Sequence, residues 1–245
     1  MSKEIPQFEG FKPELFKYLK GLEKNNNGKW FNDHREEYEK YLVIPAKSFI
    51  TTIGPFFNQL NPAIRTEPKF NTTIMRISND MRFTKGDPYK NYFLVHFGKF
   101  KMDSEFYLYF DKDGISFGLF LNNTKGEELY FRQNLDEYRN DIISTFGKYK
   151  LNRKFDLHQI SNAKDAPGLI KSKFNAEKDF DKLTGLKLIL LENALSNEDK
   201  KVYSPDLISH LVKIYSHLYP LYCFAVSTDP LSLIESFEDS MGVVV

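Results

Sequence analysis

The chain is poor in cysteine and lacks long apolar runs. Cys223 is its single cysteine, which excludes an intrachain disulfide and a multi-cysteine metal site and fits a reducing compartment. No stretch approaches the ~18 consecutive apolar residues of a membrane-spanning helix. We therefore expect a soluble, cytoplasmic protein that does not enter a membrane.

The chain also lacks an excess of charge of either sign. Its 34 basic and 33 acidic residues give a net charge of +1, so no global field attracts a polyanion. Nucleic-acid binding would need a local basic face, for which the interleaved Lys, Tyr and Phe residues of 85–101 are the candidate. We rank this function below the two that follow.

Common catalytic signatures are missing as well. The chain has no Gly-x-x-x-x-Gly-Lys phosphate loop, no Gly-x-Gly-x-x-Gly, no His-Glu-x-x-His and no Gly-x-Ser-x-Gly. Its histidines do not pair at metal-ligand spacing. We predict no metal site and no cofactor, and the sequence alone assigns no reaction.

The segment 73–90 interleaves cations, carboxylates and apolar residues at strand spacing. Side chains alternate between the two faces of a strand, so the segment predicts a half-buried strand with a row of charge on one face. The charged face would carry Arg76, Ser78, Asp80 and Arg82, and the other face Met75, Ile77, Met81 and Phe83. Gly86 and Pro88 then predict a turn, with Tyr89 and Lys90 just beyond it.

The first interpretation of this row is a site that binds, or also turns over, a small anionic or phosphorylated ligand, because arginine suits the recognition of carboxylate and phosphate. Asp80 would orient the arginines or act as a base, and Tyr89 would donate a hydrogen bond. Trp30 or His34 would line the pocket. The positive charges would come from Arg76, Arg82, Lys85 and Lys90.

The second interpretation is a non-catalytic structural or protein-interaction module. Asp80 would then neutralise Arg76 and Arg82 in a salt-bridged sheet face. Partners other than a small anion are not indicated by any motif, and the sequence leaves both interpretations open.

Hydrophobic periodicity predicts an α+β protein in which a mainly antiparallel sheet is flanked by N-terminal and C-terminal helices. Besides the charged strand, strands are predicted over 92–97, 105–110 and 115–121. Residues 148–181 have weak periodicity and predict extended or irregular structure. Helices are predicted over 12–24, from the Asn25–Gly28 break to about Leu42, and over 46–60, 126–146, 186–193 and 205–222. We predict a single domain over 1–245, with N-terminal helices in 1–70, the sheet core in 71–123 and a mostly helical part in 124–245.

Two motifs together resemble those of a known family, the domain of unknown function family 2461. The stretch from Leu22 to Phe31 is similar to its Asn-Asn-x-x-Trp-Phe opening, and the segment 75–90 is similar to its Arg-Asp-x-Arg-Phe-Ser-Lys-Asp-Lys-x-Pro-Tyr-Lys signature. The chain departs from that signature at Asn79 and Gly86. The resemblance covers most of the chain and implies motif positions, but it implies no reaction. The matching residues of the second motif are Arg76, Asp80, Arg82, Phe83, Lys85, Pro88, Tyr89 and Lys90.

Overall fold

The computed structural model describes residues 5–81, 86–100, 102–161 and 167–241. The described helices are α1 (Pro13–Lys24), α2 (Gly28–Asp33), α3 (Arg35–Tyr38), α4 (Ile44–Leu60), α5 (Phe131–Glu137), α6 (Arg139–Lys148), α7 (Ala176–Asp179), α8 (Asp181–Thr184), α9 (Asp206–Val226) and α10 (Pro230–Met241). The strands are β1 (Phe93–Phe97), β2 (Glu105–Phe110), β3 (Gly114–Asn122), β4 (Asp156–Gln159), β5 (Gly168–Lys171) and β6 (Leu188–Ser196). Within the described ranges, none of the helices combines the length and apolarity needed to cross a membrane.

The strands form one six-stranded sheet in the order β1-β2-β3-β6-β4-β5. Pairing is antiparallel: β4 lies between β6 and β5, with Leu157 opposite Leu191 on one side and opposite Lys171 on the other. The predicted class, α+β with a mainly antiparallel sheet, is confirmed.

The prediction of a helix over 186–193 is wrong, because this stretch contributes most of strand β6. Ile189, Leu190 and Leu191 are all buried, and β6 has a neighbouring strand on each side. A strand covered on both faces is a continuous apolar run that periodicity cannot separate from a buried helix. The high helix propensity of leucine then favoured the wrong assignment.

The predicted N-terminal helices are confirmed, and their boundaries follow from local chemistry. The side chain of Asn27 accepts a hydrogen bond from the Trp30 amide at 3.0 Å and so caps α2. A π-helical turn at Glu39–Val43 precedes α4, and in it the Ile44 amide donates to the carbonyl oxygen of Glu39. Pro45 has no amide hydrogen to donate four residues back, which favours this wider turn just before it.

The described residues divide into two compact units. The first comprises Met1–Phe97, Leu108–Ser116 and Ala194–Val212, and the second comprises Gly98–Tyr107, Phe117–Asn193 and Lys213–Val245. Both lie within the range predicted as one domain, and that single-domain organisation stays a prediction.

The core of the first unit is built from phenylalanine rings. Phe11 packs edge-on against Phe110 with ring centroids 4.6 Å apart, and Phe57 stacks on Phe97 at 4.2 Å. All four rings are buried. Each such side chain contributes about 1.5–3 kcal/mol through removal of apolar surface from water.

The core of the second unit combines aromatic packing with a few satisfied polar groups. Phe106 lies 4.9 Å from Tyr222, and the Tyr215 hydroxyl donates to the Tyr107 carbonyl oxygen at 2.8 Å. Cys223 lies in this core, and burial raises the pKa of its thiol. A thiol that stays protonated is a poor nucleophile, so Cys223 is a packing residue.

Asp103 is a buried carboxylate of the second unit, and its stability contribution depends on pH. Burial raises the pKa of Asp103 to about 6, although the amides of Ser104 and Lys99 donate to it at 2.7 and 3.3 Å. The Asp103 carboxyl therefore holds its proton more tightly in the folded protein than in the unfolded chain. The stability that the protonated carboxyl contributes is lost as pH rises through about 6. We therefore compare the free energy of unfolding of Asp103→Asn with that of wild type at two pH values. The difference, variant minus wild type, should be about 2 kcal/mol larger at about pH 7 than at about pH 4. Denaturant titrations of both proteins at the two pH values measure this, and a difference that does not change with pH would contradict it.

Candidate functional site

The two motif regions, 63 positions apart, meet through one asparagine side chain. The Asn26 amide nitrogen donates to the Tyr89 carbonyl oxygen at 2.8 Å, and its amide oxygen accepts from the Tyr89 amide at 3.0 Å. One side chain therefore satisfies both main-chain groups of Tyr89, as a neighbouring strand would. The loop between α1 and α2 is thereby tied to the residues that follow the charged turn.

Ring packing reinforces this tie. Phe31 of α2 stacks on Tyr89 with centroids 4.3 Å apart and planes 13° from parallel. Phe31 also packs against the buried Tyr38, with ring centroids 5.4 Å apart. We call this surface the motif junction and define it by Asn26, Phe31, Arg76, Ser78, Tyr89 and Lys90.

The charged segment is extended but is not the regular strand that its alternation predicts. It makes two isolated antiparallel bridges, from Ile74 to Val95 and from Ser78 to Tyr89. The segment thus changes partner halfway along. Between the bridges, the Arg76 carbonyl oxygen accepts from Lys90 Nζ, so a side chain takes the place of a ladder hydrogen bond.

The predicted alternation of faces holds for the first part of the segment. Arg76, Ser78 and Asp80 are exposed, whereas Ile77 is buried. Met81, predicted on the inner face, is 51% exposed, so the alternation ends before it. Three further predicted positions, Arg82, Phe83 and Lys85, lie outside the described residues.

The turn before Tyr89 requires glycine for its backbone rather than for space. Gly86 has φ +142°, and a Cβ added there would meet nothing within 4 Å. Only glycine adopts such a conformation readily. Position 86 therefore favours glycine for its backbone conformation.

Both described cations of the motif junction are held by neutral oxygens. Lys90 Nζ donates to the carbonyl oxygens of Arg76 and Ser78 at 2.9 and 3.0 Å, and burial lowers the pKa of Lys90. With the Asn71 amide turned so that its hydrogen bonds are satisfied, the Nε and Nη2 atoms of Arg76 donate to its oxygen at 3.2 and 3.1 Å. These contacts fix the position of each charge without neutralising it.

Trp30 and His34 form a pair of their own on α2 and the turn after it. Their rings stack at 4.1 Å, and His34 Nδ1 donates to the Trp30 carbonyl oxygen at 2.8 Å. Trp30 also packs on Tyr18 at 5.2 Å and on Gly21, where a Cβ would lie 2.8 Å from its ring. In the described contacts, Tyr89 is touched by Phe31 rather than by this pair.

The phenols behind the motif junction are packing groups. Burial, followed by the neighbouring Tyr38, Glu37 and Tyr89, raises the pKa of Tyr18, and burial also raises the pKa of Tyr38. Both hydroxyls therefore stay protonated at physiological pH. Neither phenol serves as a base.

Sequence reasoning missed Asn26 and Phe31, which make the direct contacts between the motifs. Both belong to the Asn-Asn-x-x-Trp-Phe stretch that carries the family resemblance, while Asn27 of the same stretch caps α2. The motif was the signal that could have identified Asn26 and Phe31, since it contains both residues. Its two asparagines have different structural roles.

Comparison with known proteins identifies a family that covers most of the chain. A family model described as "Conserved hypothetical protein (DUF2461)" matches residues 14–224, a range that includes both motif regions. No curated protein matches the chain.

Proposed function

We propose that this chain, which belongs to the DUF2461 family of conserved hypothetical proteins, binds a small anionic ligand at the motif junction. The observation that carries the proposal is the neutral hydrogen bonding of Arg76 and Lys90. Positive charges that are fixed but not neutralised attract an anion.

The donors left over by these contacts suit a phosphate or carboxylate group. A guanidinium has five N–H donors and an ammonium three, and two of each are used on the oxygens described above. The exposed Ser78 hydroxyl lies in the same segment as Arg76. Tyr89, stacked on Phe31, offers a flat apolar neighbour for the remainder of a ligand.

The alternative, a structural module with a salt-bridged sheet face, predicts carboxylate partners for the same cations. Arg76 and Lys90 instead have amide and carbonyl oxygens as partners. This favours anion binding over a salt-bridge lattice for these two residues. Asp80 is exposed, and its role as an orienting residue stays part of the proposal.

We expect Arg76→Ala to abolish anion binding while leaving the fold intact. Isothermal titration with phosphate, pyrophosphate, sulfate and citrate measures the binding. Arg76 is exposed and its described hydrogen bonds go to a neutral amide, so the expected loss of unfolding free energy is below about 1 kcal/mol.

Arg132→Ala is the matched control. Arg132 is also exposed, and its Nη1 donates to a neutral oxygen, the Thr184 carbonyl, at 2.9 Å. We expect this variant to bind anions as wild type does. No binding of any of the four anions by wild type would refute the proposal. A loss of about 3–5 kcal/mol on Arg76→Ala would instead support the structural module.

A further inference from the structure

A second basic surface lies in the first unit and has no residue in common with the motif junction. It is an open cleft of about 520 Å³ between α1 and the side chains of Lys112, Asn197 and Tyr203. Pockets that hold small molecules have volumes of about 300–1,000 Å³. The cleft is therefore large enough for such a ligand.

Lysines form one wall of this cleft. Lys17, Lys20 and Lys24 follow one another along α1 at spacings of three and four residues, which places them on one side of the helix. From the first to the last, the row is about 10 Å long at the rise of an α-helix. Lys112 adds a further ammonium group from the turn between β2 and β3.

The acidic residues Glu14, Glu23 and Asp113 cancel only part of this charge, and Asp113 itself lines the cleft. Glu23 takes two hydrogen bonds from Lys112 Nζ, at 3.0 and 2.9 Å, and this contact lowers the pKa of the Glu23 carboxyl. Lys17 Nζ lies 3.9 Å from Glu14 Oε1, and such an exposed ion pair contributes little to stability. Within the described ranges, Lys20 and Lys24 belong to no ion pair.

The floor of the cleft is aromatic. Phe16 and Tyr203 meet edge to face with centroids 6.2 Å apart, and both line the cleft. The Tyr203 hydroxyl donates to the Asn197 carbonyl oxygen, which holds the ring in place. Phe16 is 5% exposed and Tyr203 is half-buried, so a flat apolar group packs mainly against Tyr203.

We propose that this cleft binds a phosphorylated small molecule that carries an aromatic ring, such as a nucleotide. The phosphates contact Lys17, Lys20 and Lys24, and the ring rests on Tyr203, which packs against Phe16. Lysine suits this task, because its ammonium is a mobile point charge on a long stem that adapts to several phosphate positions. The site shares no residue with the motif junction, so the two proposals are tested independently of each other.

The test uses the full chain and three probes: adenosine triphosphate, tripolyphosphate and adenosine. We expect adenosine triphosphate to bind more tightly than either of the others, and its affinity to fall as salt is raised. Lys20→Glu together with Lys24→Glu should weaken its binding at least tenfold. Both side chains are exposed, so circular dichroism and the thermal midpoint should stay close to those of wild type.

Lys178→Glu together with Lys182→Glu is the matched control. These lysines are also exposed and four residues apart, so the change in net charge and spacing is the same. The proposal is overturned if the two double variants lose affinity equally, or if wild type binds none of the probes. Tripolyphosphate binding as tightly as adenosine triphosphate would overturn the role of the aromatic floor. Binding lost in Arg76→Ala but retained in the Lys20 and Lys24 variant would place the anion at the motif junction and refute the cleft.

Discussion

Replacing Gly118 by alanine is expected to destabilise the protein by about 3 kcal/mol or more. A Cβ added at Gly118 in β3 would lie 1.8 Å from the carbonyl oxygen of Leu191 in the neighbouring strand β6. That oxygen belongs to the backbone, so the strands themselves must separate to make room. The change in unfolding free energy is measured by denaturant titration.

Gly147→Ala is the control, because it is the same chemical change in open space. Gly147 lies in α6, and a Cβ there would meet nothing within 4 Å. Alanine in a helix stabilises by about 0.5–1 kcal/mol relative to glycine. The two variants should therefore change stability in opposite directions. Near-equal stability of Gly118→Ala and wild type would show that the contact between β3 and β6 yields easily, contrary to expectation.

Asn26→Ala is expected to cost about 2 kcal/mol, because it leaves both main-chain groups of Tyr89 without their partner. Those groups are partly buried, so water replaces the lost hydrogen bonds only in part. The same variant should weaken anion binding if the motif junction is the site. Denaturant titration and isothermal titration of one preparation measure both effects.

Asn25→Ala is the neighbouring control. Asn25 is exposed, and its side chain donates to the carbonyl oxygen of Gly21, in the last turn of α1, at 3.0 Å. We expect it to cost no more than about 0.5 kcal/mol. Equal losses for the two asparagines would mean that the contact with Tyr89 contributes nothing of its own to stability.

The elements with clear alternation or clear helical periodicity were predictable from the sequence. β2 begins and ends where predicted, at Glu105 and Phe110, and α1 differs from its prediction by one residue. β6 was not predictable, since burial on both faces removes the alternation. β4 and β5 are short and lie in a segment whose periodicity is weak, so their pairing with the sheet depends on contacts that no local pattern records.

The exposed residues of the candidate site were predictable from the sequence, but the contacts that hold them were not. Alternation correctly placed Arg76, Ser78 and Asp80 on an exposed face. The contact of Asn26 with Tyr89 spans 63 positions, and the bonding of Lys90 to two carbonyl oxygens depends on a gap in main-chain pairing. Both arise from tertiary structure, which overrides local preference. The salt-bridge interpretation therefore expected carboxylate partners where Arg76 and Lys90 have neutral ones.

The chain carries one tryptophan and one cysteine, and they fall in different compact units. Trp30 belongs to the first unit and Cys223 to the second. Indole emission therefore follows unfolding of the first unit, while the rate at which a thiol reagent modifies Cys223 follows exposure of the second. Each unit thus has a native spectroscopic or chemical reporter, and the cooperativity of the whole chain can be followed without attaching any label.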